Sequence, residues 1–353
     1  MKATLFLTTA CNLRCDYCYV SRQNFAMSGE TLDRAIDFVF QTTAPGDRIR
    51  FDLSGGEPLL AWPLVQKTVA LIEQKAGMGN HPLQISLSTN GTLLTRDILT
   101  FVRRNNVMLH ISCDGIAHVQ DKHRRFRNGK RSSQRVVAGL SHALEDLPGV
   151  IVDMVYGPDT CAFLPESIEY LASLGLKQLV LIPDCTASWH KSDIERLGRA
   201  FEGIADTYLD SYAREAPVFI SLIDEKIAVM MRGGYGHAER SRMGEDRVAV
   251  SPQGVVFPCE HLVGTGEESV HSMSSLYRQD LPEETGSRPV PSTGTGGHCA
   301  SCTLYRYCMN GSGELQVFGN DSKTQPSPFI CASERLSIQA AHKVMAEWQI
   351  TAG

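Results

Sequence analysis

The chain has 353 residues, of which 42% are hydrophobic and 21% are charged, and its formal net charge is −5. A chain of this length can bury a sizeable core and suits one large domain with a smaller one. The acidic balance argues against nucleic-acid binding, which needs a basic face. No apolar run approaches the ~20 residues of a membrane-spanning helix, so no membrane partner is expected. Eleven cysteines, an odd number, favour metal ligation in a reducing compartment, and we expect the cytoplasm.

Strand and helix patterns alternate through the first half of the chain. Predicted strands cover residues 3–9, 49–53, 83–89, 107–112, 150–155 and 178–182. This alternation is typical of β-α units around a parallel sheet. In parallel barrels the active-site residues lie at the carboxyl ends of the strands. The sequence therefore predicts an α/β fold of six such units.

The second half changes character after Trp189. Ser192 and Glu195 have capping-box spacing, which predicts a helix that begins there. Residues 248–257 predict a hairpin with its turn at Gln253 and Gly254. Residues 333–348 have the pattern of a terminal helix.

Three cysteines follow the first predicted strand in the spacing CxxxCxxC: Cys11, Cys15 and Cys18. Three thiolates on one loop offer a four-iron cluster three ligands and leave one iron open. Zinc is an alternative, because cysteine-rich loops often bind it. A zinc site would need a nearby fourth ligand, and no further cysteine follows before Cys113.

The second predicted strand runs into the sequence Gly55-Gly56-Glu57-Pro58. Together with CxxxCxxC, this turn resembles the corresponding motifs of the radical SAM enzymes. The resemblance implies that the three cysteines hold a 4Fe–4S cluster whose open iron binds S-adenosylmethionine. It also implies that the four residues of the turn approach the ammonium group of this cofactor, with Glu57 as the direct contact.

Two further cofactor contacts are implied by the same resemblance. Ser112 would hydrogen-bond the cofactor's carboxylate or ribose, and Arg124 would bind the carboxylate, because a guanidinium forks onto it. The alternative for Ser112 is ordinary turn capping, and Cys113 is expected to be a buried thiol rather than a ligand. Basic residues behind Arg124 form either a solvated loop or a docking surface for an acidic peptide. They are Arg125, Arg127, Lys130 and Arg131.

A second group of cysteines lies near the C-terminus, at Cys299, Cys302, Cys308 and Cys331. Its spacing resembles the SPASM extension of peptide-maturing radical SAM enzymes, in which such cysteines hold an auxiliary 4Fe–4S cluster. Zinc is the competing ligand, because four thiolates serve it equally well. The resemblance favours iron and sulfur.

The SPASM pattern is incomplete in this chain. The full pattern has two further cysteines, which belong to another auxiliary cluster. In this chain one of their places falls at Ser241 or its neighbourhood, and the other is occupied by Ser312. We therefore expect two clusters rather than three, with Cys259 as a free thiol or an unusual ligand. Glu260 stands where related sulfatase-maturing enzymes carry an aspartate that removes a proton from the substrate radical, so it is the candidate base. The alternative is a helix-start or surface acid, and His261 is a weaker candidate.

The predicted architecture is a partial (β/α)6 TIM-type barrel with a small cysteine-rich C-terminal domain for the auxiliary cluster. The expected divisions are the barrel at 1–187, a helical bridging region at 188–237, the SPASM-like domain at 238–333 and a C-terminal helix at 334–353. We expect no separate peptide-recognition domain ahead of the first strand.

The expected function is radical modification of a ribosomally made peptide or a protein side chain, with S-adenosylmethionine and two 4Fe–4S clusters as cofactors. The resemblance also implies an electron donor of the flavodoxin or ferredoxin type. Conversion of a sulfatase's active-site residue to formylglycine is the nearest alternative. A non-catalytic, cysteine-rich metal-binding or sensing protein is the alternative from another class.

Overall fold

A computed structural model describes residues 1–20, 23–79, 81–236, 246–263, 274–276, 299, 301–309 and 328–351. The chain forms two compact units. The first contains residues 1–112, 124–148 and 242–290, and the second contains 113–123, 149–241 and 291–353. These units cut across the four predicted divisions, which stay a prediction.

Strands and helices alternate in the first unit. Its strands are β1 (Lys2–Thr8), β2 (Ile49–Gly55), β3 (Leu83–Thr89), β4 (Met108–Ser112), β8 (Arg247–Val250), β9 (Val255–Phe257) and β10 (Ser274–Ser275). Its helices are α1 (Gly29–Thr42), α2 (Trp62–Gly79), α3 (Arg96–Arg104) and α5 (Ser133–Asp146). The side chain of Ser28 caps α1 by accepting a hydrogen bond from the Thr31 amide at 3.0 Å, as residues of its type do at helix starts.

Strands β1 to β4 pair in parallel and in sequence order. One row of buried side chains crosses this sheet, from Leu5 through Leu53 and Leu87 to Leu109. The predicted hairpin is confirmed as β8 and β9, and β8 pairs in parallel with the free edge of β1, where Val250 lies opposite Leu5. The carboxyl ends of five parallel strands therefore lie at one edge of this unit.

The second unit has its own parallel strands, β5 (Ile151–Tyr156), β6 (Gln178–Pro183) and β7 (Phe219–Ile220). Its helices are α4 (Ala117–His123), α6 (Leu164–Ser173), α7 (Lys191–Ala213), α8 (Ser221–Met231) and α9 (Pro328–Thr351). Aromatic contacts join α9 to its neighbours: Trp189 stacks on Phe329 with ring centroids 4.0 Å apart, and Tyr208 lies 6.0 Å from Trp348.

Two helix starts differ from the sequence prediction. Helix α7 begins at Lys191, because Asp193 rather than Glu195 accepts the hydrogen bond of the capping residue, from the His190 amide at 2.8 Å. Helix α9 begins at Pro328, five residues earlier than expected, and proline suits the first turn of a helix. Cys331 therefore lies within the first turn of α9 rather than ahead of it.

Candidate functional site

The three N-terminal cysteines lie on the loop that follows β1. The chain returns beside this strand, where the Thr9 amide donates to Phe25 O at 2.8 Å. Cys11 and Cys15 are half-buried and Cys18 is exposed. The Leu13 amide donates to Cys11 Sγ at 3.3 Å. The thiols are therefore presented at the carboxyl end of the strand, as the sequence predicts.

The glycine turn after β2 is joined to the start of the cysteine loop. The Gly56 amide donates to Thr8 O at 2.7 Å, and the Glu57 amide donates to Ala10 O at 2.8 Å. A Cβ atom at Gly55 would lie 2.2 Å from Thr8 O, and one at Gly56 would lie 2.3 Å from Ala10 O. Gly55 also has a φ of +131°, so only glycine fits this approach.

Glu57 is fully buried, and its carboxylate is hydrogen-bonded within the chain. Its oxygens accept from the Leu59 amide at 3.0 Å, from Thr89 Oγ1 at 2.7 Å and from the Asn90 amide at 2.7 Å. Burial raises the pKa of Glu57 to about 7, against the opposing effect of these three donors. The side chain thus ties the β2 turn to the end of β3, and direct contact of Glu57 with the cofactor stays a prediction. Pro58 is buried beside it and begins a 3-10 helix.

A polar network that sequence reasoning missed lies between the cysteine loop and the end of β3. Asn12 Nδ2 donates to Thr92 Oγ1, and Asn90 Nδ2 donates to Asn12 Oδ1, both at 2.8 Å. Asn90 Nδ2 also lies 3.8 Å from Cys11 Sγ. Asn12 lies inside the cysteine motif and Asn90 directly follows β3, but their pairing across 78 positions could not be predicted from spacing.

Arg124 lies against the cysteine loop, and its contact with a cofactor stays a prediction. It is only 7% exposed, and its guanidinium carbon lies 5.3 Å from the ring centroid of Tyr17. This is a cation–π contact with the aromatic residue that precedes Cys18. Leu13 and Phe126 form a β-bridge that holds the two segments side by side.

Ser112 ends β4 and is half-buried, and its contact with a cofactor stays a prediction. Cys113 is 1% exposed, so the expectation of a buried thiol is confirmed. The neighbouring Asp114 accepts a hydrogen bond from the Val155 amide at 3.0 Å. This carboxylate therefore has a structural function within its unit.

The β8–β9 hairpin carries Glu260 to the β1 edge of the first unit. Lys2 Nζ lies 2.8 Å from Asp52 Oδ2 and 3.8 Å from Glu260 Oε1. Burial acts against the charged form of Glu260, but Lys2, Arg247 and His261 together lower its pKa. Glu260 is therefore ionised at neutral pH and begins a short 3-10 helix. Its role as a base stays a prediction.

Residues on both sides of Glu260 pack near the cysteine loop. The ring of His261 lies 4.9 Å from that of Tyr19, which directly follows Cys18. Cys259 is fully buried, with its Sγ 3.5 Å from His261 Nδ1. Sequence spacing did not reveal this approach of the C-terminal hairpin to the N-terminal loop, because it depends on the pairing of β8 with β1.

The four C-terminal cysteines all lie within the described residues, where Cys299 and Cys308 are half-buried and Cys302 and Cys331 are exposed. The Cys302 amide donates to Cys299 O at 3.2 Å, and Cys308 directly follows a short 3-10 helix. Burial raises the pKa of the Cys331 thiol, and the charges of Cys302 and Cys299 act in the same direction. Cys331 in helix α9 therefore lies within electrostatic range of two of its predicted partners.

The donor sets have the chemistry of iron–sulfur sites. Soft thiolates suit iron clusters, and N–H groups directed at Cys11 Sγ are the kind of contact that tunes them. Within the described ranges, no three His, Cys, Asp or Glu side chains form a group that could hold a metal ion. The assignment of both ligand sets thus stays a prediction from spacing. The prediction that a third cluster is absent depends on the positions of Ser241 and Ser312. Both residues lie outside the described residues.

Comparison with known families gives a match to the Radical SAM superfamily over residues 5–161. The chain is 30% identical to an uncharacterized protein of Methanocaldococcus jannaschii over 178 residues, which are 50% of this chain and 59% of that protein. It is 23% identical to the serine-type anaerobic sulfatase-maturating enzyme of Klebsiella aerogenes over 88% of this chain and 79% of the enzyme.

Two solved structures resemble the chain in fold. Native anSMEcpe with bound AdoMet and the Cp18Cys peptide matches with a TM-score of 0.81 at 18% identity, over 100% of both chains. Streptococcus suis SuiB bound to precursor peptide SuiA matches with a TM-score of 0.63 at 14% identity, over 94% of this chain and 75% of SuiB. The α/β fold with an unclosed, mainly parallel sheet is confirmed, as expected for a partial barrel. No helix in the described ranges is long and apolar enough to cross a membrane.

Proposed function

We propose that this chain, which matches the Radical SAM superfamily over residues 5–161, is a radical SAM enzyme that modifies a residue of a peptide or protein substrate. The observation that carries the proposal is the similarity over 88% of the chain to a sulfatase-maturating enzyme. Likeness in fold to two proteins solved with bound peptides supports the same substrate class. The match to this superfamily and the sulfatase-maturating relative favour an enzyme over the alternative of a non-catalytic sensor.

The cofactors of the superfamily are S-adenosylmethionine and a 4Fe–4S cluster. When bound and reduced, this cofactor and cluster would supply a 5′-deoxyadenosyl radical able to abstract hydrogen from an unactivated carbon. Cys11, Cys15 and Cys18 would hold this cluster. An auxiliary 4Fe–4S cluster on Cys299, Cys302, Cys308 and Cys331 is part of the proposal.

The described residues position these groups. The glycines after β2 let two backbone segments approach, and Glu57 fixes the turn against the end of β3. The Asn12–Asn90–Thr92 network holds the cysteine loop to the same strand end. Arg124, held against Tyr17, would bind the cofactor carboxylate. Glu260, ionised beside Lys2, would accept the proton released from the substrate.

Two outcomes of the radical step fit these observations. The sulfatase-maturating relative favours oxidation of a Cys or Ser side chain to formylglycine. The likeness to SuiB favours modification of a ribosomally made precursor peptide, as a crosslink, an epimer or an oxidised side chain. The incomplete set of SPASM cysteines favours the second outcome, which we place first.

Anaerobic reconstitution followed by iron analysis and a 5′-deoxyadenosine assay tests the proposal. The wild type should bind about eight irons and the Cys15→Ala variant about four. The variant should form no 5′-deoxyadenosine, while Cys331→Ala should retain that activity. About four irons in the wild type, with zinc at the C-terminal cysteines, would contradict the auxiliary cluster. Absence of 5′-deoxyadenosine from the reduced wild type would contradict the cofactor assignment.

A further inference from the structure

A basic hairpin, residues 125–131, lies directly against the cysteine loop. A β-bridge between Arg125 and Arg131 closes it. The Arg14 amide donates to Arg125 O at 2.7 Å, and the Arg127 amide donates to Asn12 O at 3.1 Å. The backbone of the basic hairpin is thus paired with the segment that separates Cys11 from Cys15.

The basic hairpin carries a concentrated positive charge on an acidic chain. Its four cationic side chains are exposed, as is that of Arg14 opposite them. They are Arg125, Arg127, Lys130 and Arg131. No aspartate or glutamate occurs between Asp121 and Glu145, and the facing cysteine loop adds a single acid, Asp16, although the chain as a whole has a net charge of −5. Exposed charge of one sign steers a partner of opposite charge and raises its association rate.

We propose that the basic hairpin is the docking surface for an acidic one-electron carrier protein, one with a flavin or an iron–sulfur centre. This inference rests on the proposed function, because reductive cleavage of one S-adenosylmethionine consumes one electron. The carrier donates that electron and is itself oxidised. A carrier docked here would lie beside the loop of the three cysteines. An acidic substrate peptide is the alternative partner. The backbone pairing of the hairpin with the cysteine loop favours the electron carrier, because a carrier docked here would lie next to the loop whose cluster must receive the electron.

The test compares two paired charge reversals. Arg127→Glu/Arg131→Glu alters the basic hairpin, and Arg103→Glu/Arg104→Glu alters two exposed arginines of α3 as a matched control. Each protein is reconstituted, its iron content is measured, and 5′-deoxyadenosine formation is followed with either limiting reduced flavodoxin, an acidic carrier, or dithionite, which needs no docking surface.

With flavodoxin at low salt, the hairpin variant should be at least about tenfold slower than the wild type and the control. The difference should shrink as salt rises, because ions screen exposed charges. With dithionite, all three proteins should react equally. Equal rates of the three proteins with flavodoxin, or an equal loss of the hairpin variant's rate with both reductants, would overturn the proposal. Failure of the wild type with dithionite would instead overturn the proposed function.

Discussion

The pair formed by Lys226 and Glu334 gives a quantitative test of how the C-terminal cysteine region is held. Lys226 Nζ lies 2.8 Å from Glu334 Oε2 and 3.2 Å from Tyr307 O, and the lysine side chain is only 5% exposed. The same carboxylate oxygen accepts from the Met309 amide at 2.7 Å. Because Glu334 stands three residues after Cys331 and Met309 directly follows Cys308, the pair joins the two cysteine segments.

Replacement of Lys226 by Met should lower the free energy of unfolding by about 3 kcal/mol. Removal of one partner from a buried ion pair costs about 3–5 kcal/mol, since the other charge is left uncompensated. The lower end applies because Glu334 is 17% exposed and keeps its bond from the Met309 amide. The double variant Lys226→Met/Glu334→Gln should recover part of the loss, because no unpaired charge remains.

Chemical denaturation of the anaerobically purified proteins measures this effect, and iron analysis of the reconstituted proteins measures its consequence for the cysteines. Lys343→Met is the matched control, since Lys343 pairs with Asp206 on the surface with 39% and 62% of these side chains exposed. That pair should contribute less than about 1 kcal/mol. Equal, small losses in both single variants, with unchanged iron content, would refute the argument that burial of the Lys226 pair organises this region.

Three further substitutions probe the N-terminal site. Gly56→Ala should prevent iron binding, because its Cβ would lie 2.3 Å from Ala10 O, whereas Gly77→Ala in α2 should change stability by no more than about 1 kcal/mol. Normal iron content in Gly56→Ala would show that the turn can shift. Asn12→Ala should slow 5′-deoxyadenosine formation by about 10–100-fold, the usual effect of losing a contact that orients a ligand loop, and an unchanged rate would argue against that function. Glu260→Gln should retain 5′-deoxyadenosine formation but reduce peptide modification by about 10²–10⁴-fold. Because its pKa is lowered, Glu260 stays ionised from pH 5 to pH 8, and no rate change in this range should arise from it. Unaltered peptide modification by the Glu260→Gln variant would show that Glu260 is not the base.

The sequence predicted most of the local structure because the signals are local. The six principal parallel strands are confirmed within a few residues, and so is the hairpin with its turn at Gln253 and Gly254, where Gly254 has a φ of +80°. The predicted start of α7 was wrong, because Asp193 as well as Glu195 is an acid that can accept a hydrogen bond from a capping residue. The backbone position of His190 decides between them, and that position is set by tertiary structure.

Contacts between distant segments could not be predicted in the same way. The sequence does not indicate that Asn12 and Asn90 are neighbours, although their side chains are hydrogen-bonded to each other. The contact of Glu57 with the cofactor stays a prediction, and the sequence did not reveal that its oxygens also accept hydrogen bonds from residues 59, 89 and 90. The approach of His261 to Tyr19 follows from the pairing of β8 with β1. Such contacts depend on strand order, which the hydrophobic pattern does not encode.

Hydrogen abstraction from a peptide is the central claim, and transfer of deuterium measures it directly. Reduced enzyme would be incubated with S-adenosylmethionine and deuterated peptides of two kinds, sulfatase-derived segments with Cys or Ser and short precursor peptides. Mass analysis of the 5′-deoxyadenosine should show deuterium with one of these peptides, and none with the Cys15→Ala variant. Formation of 5′-deoxyadenosine without deuterium from every peptide of both kinds would contradict the account.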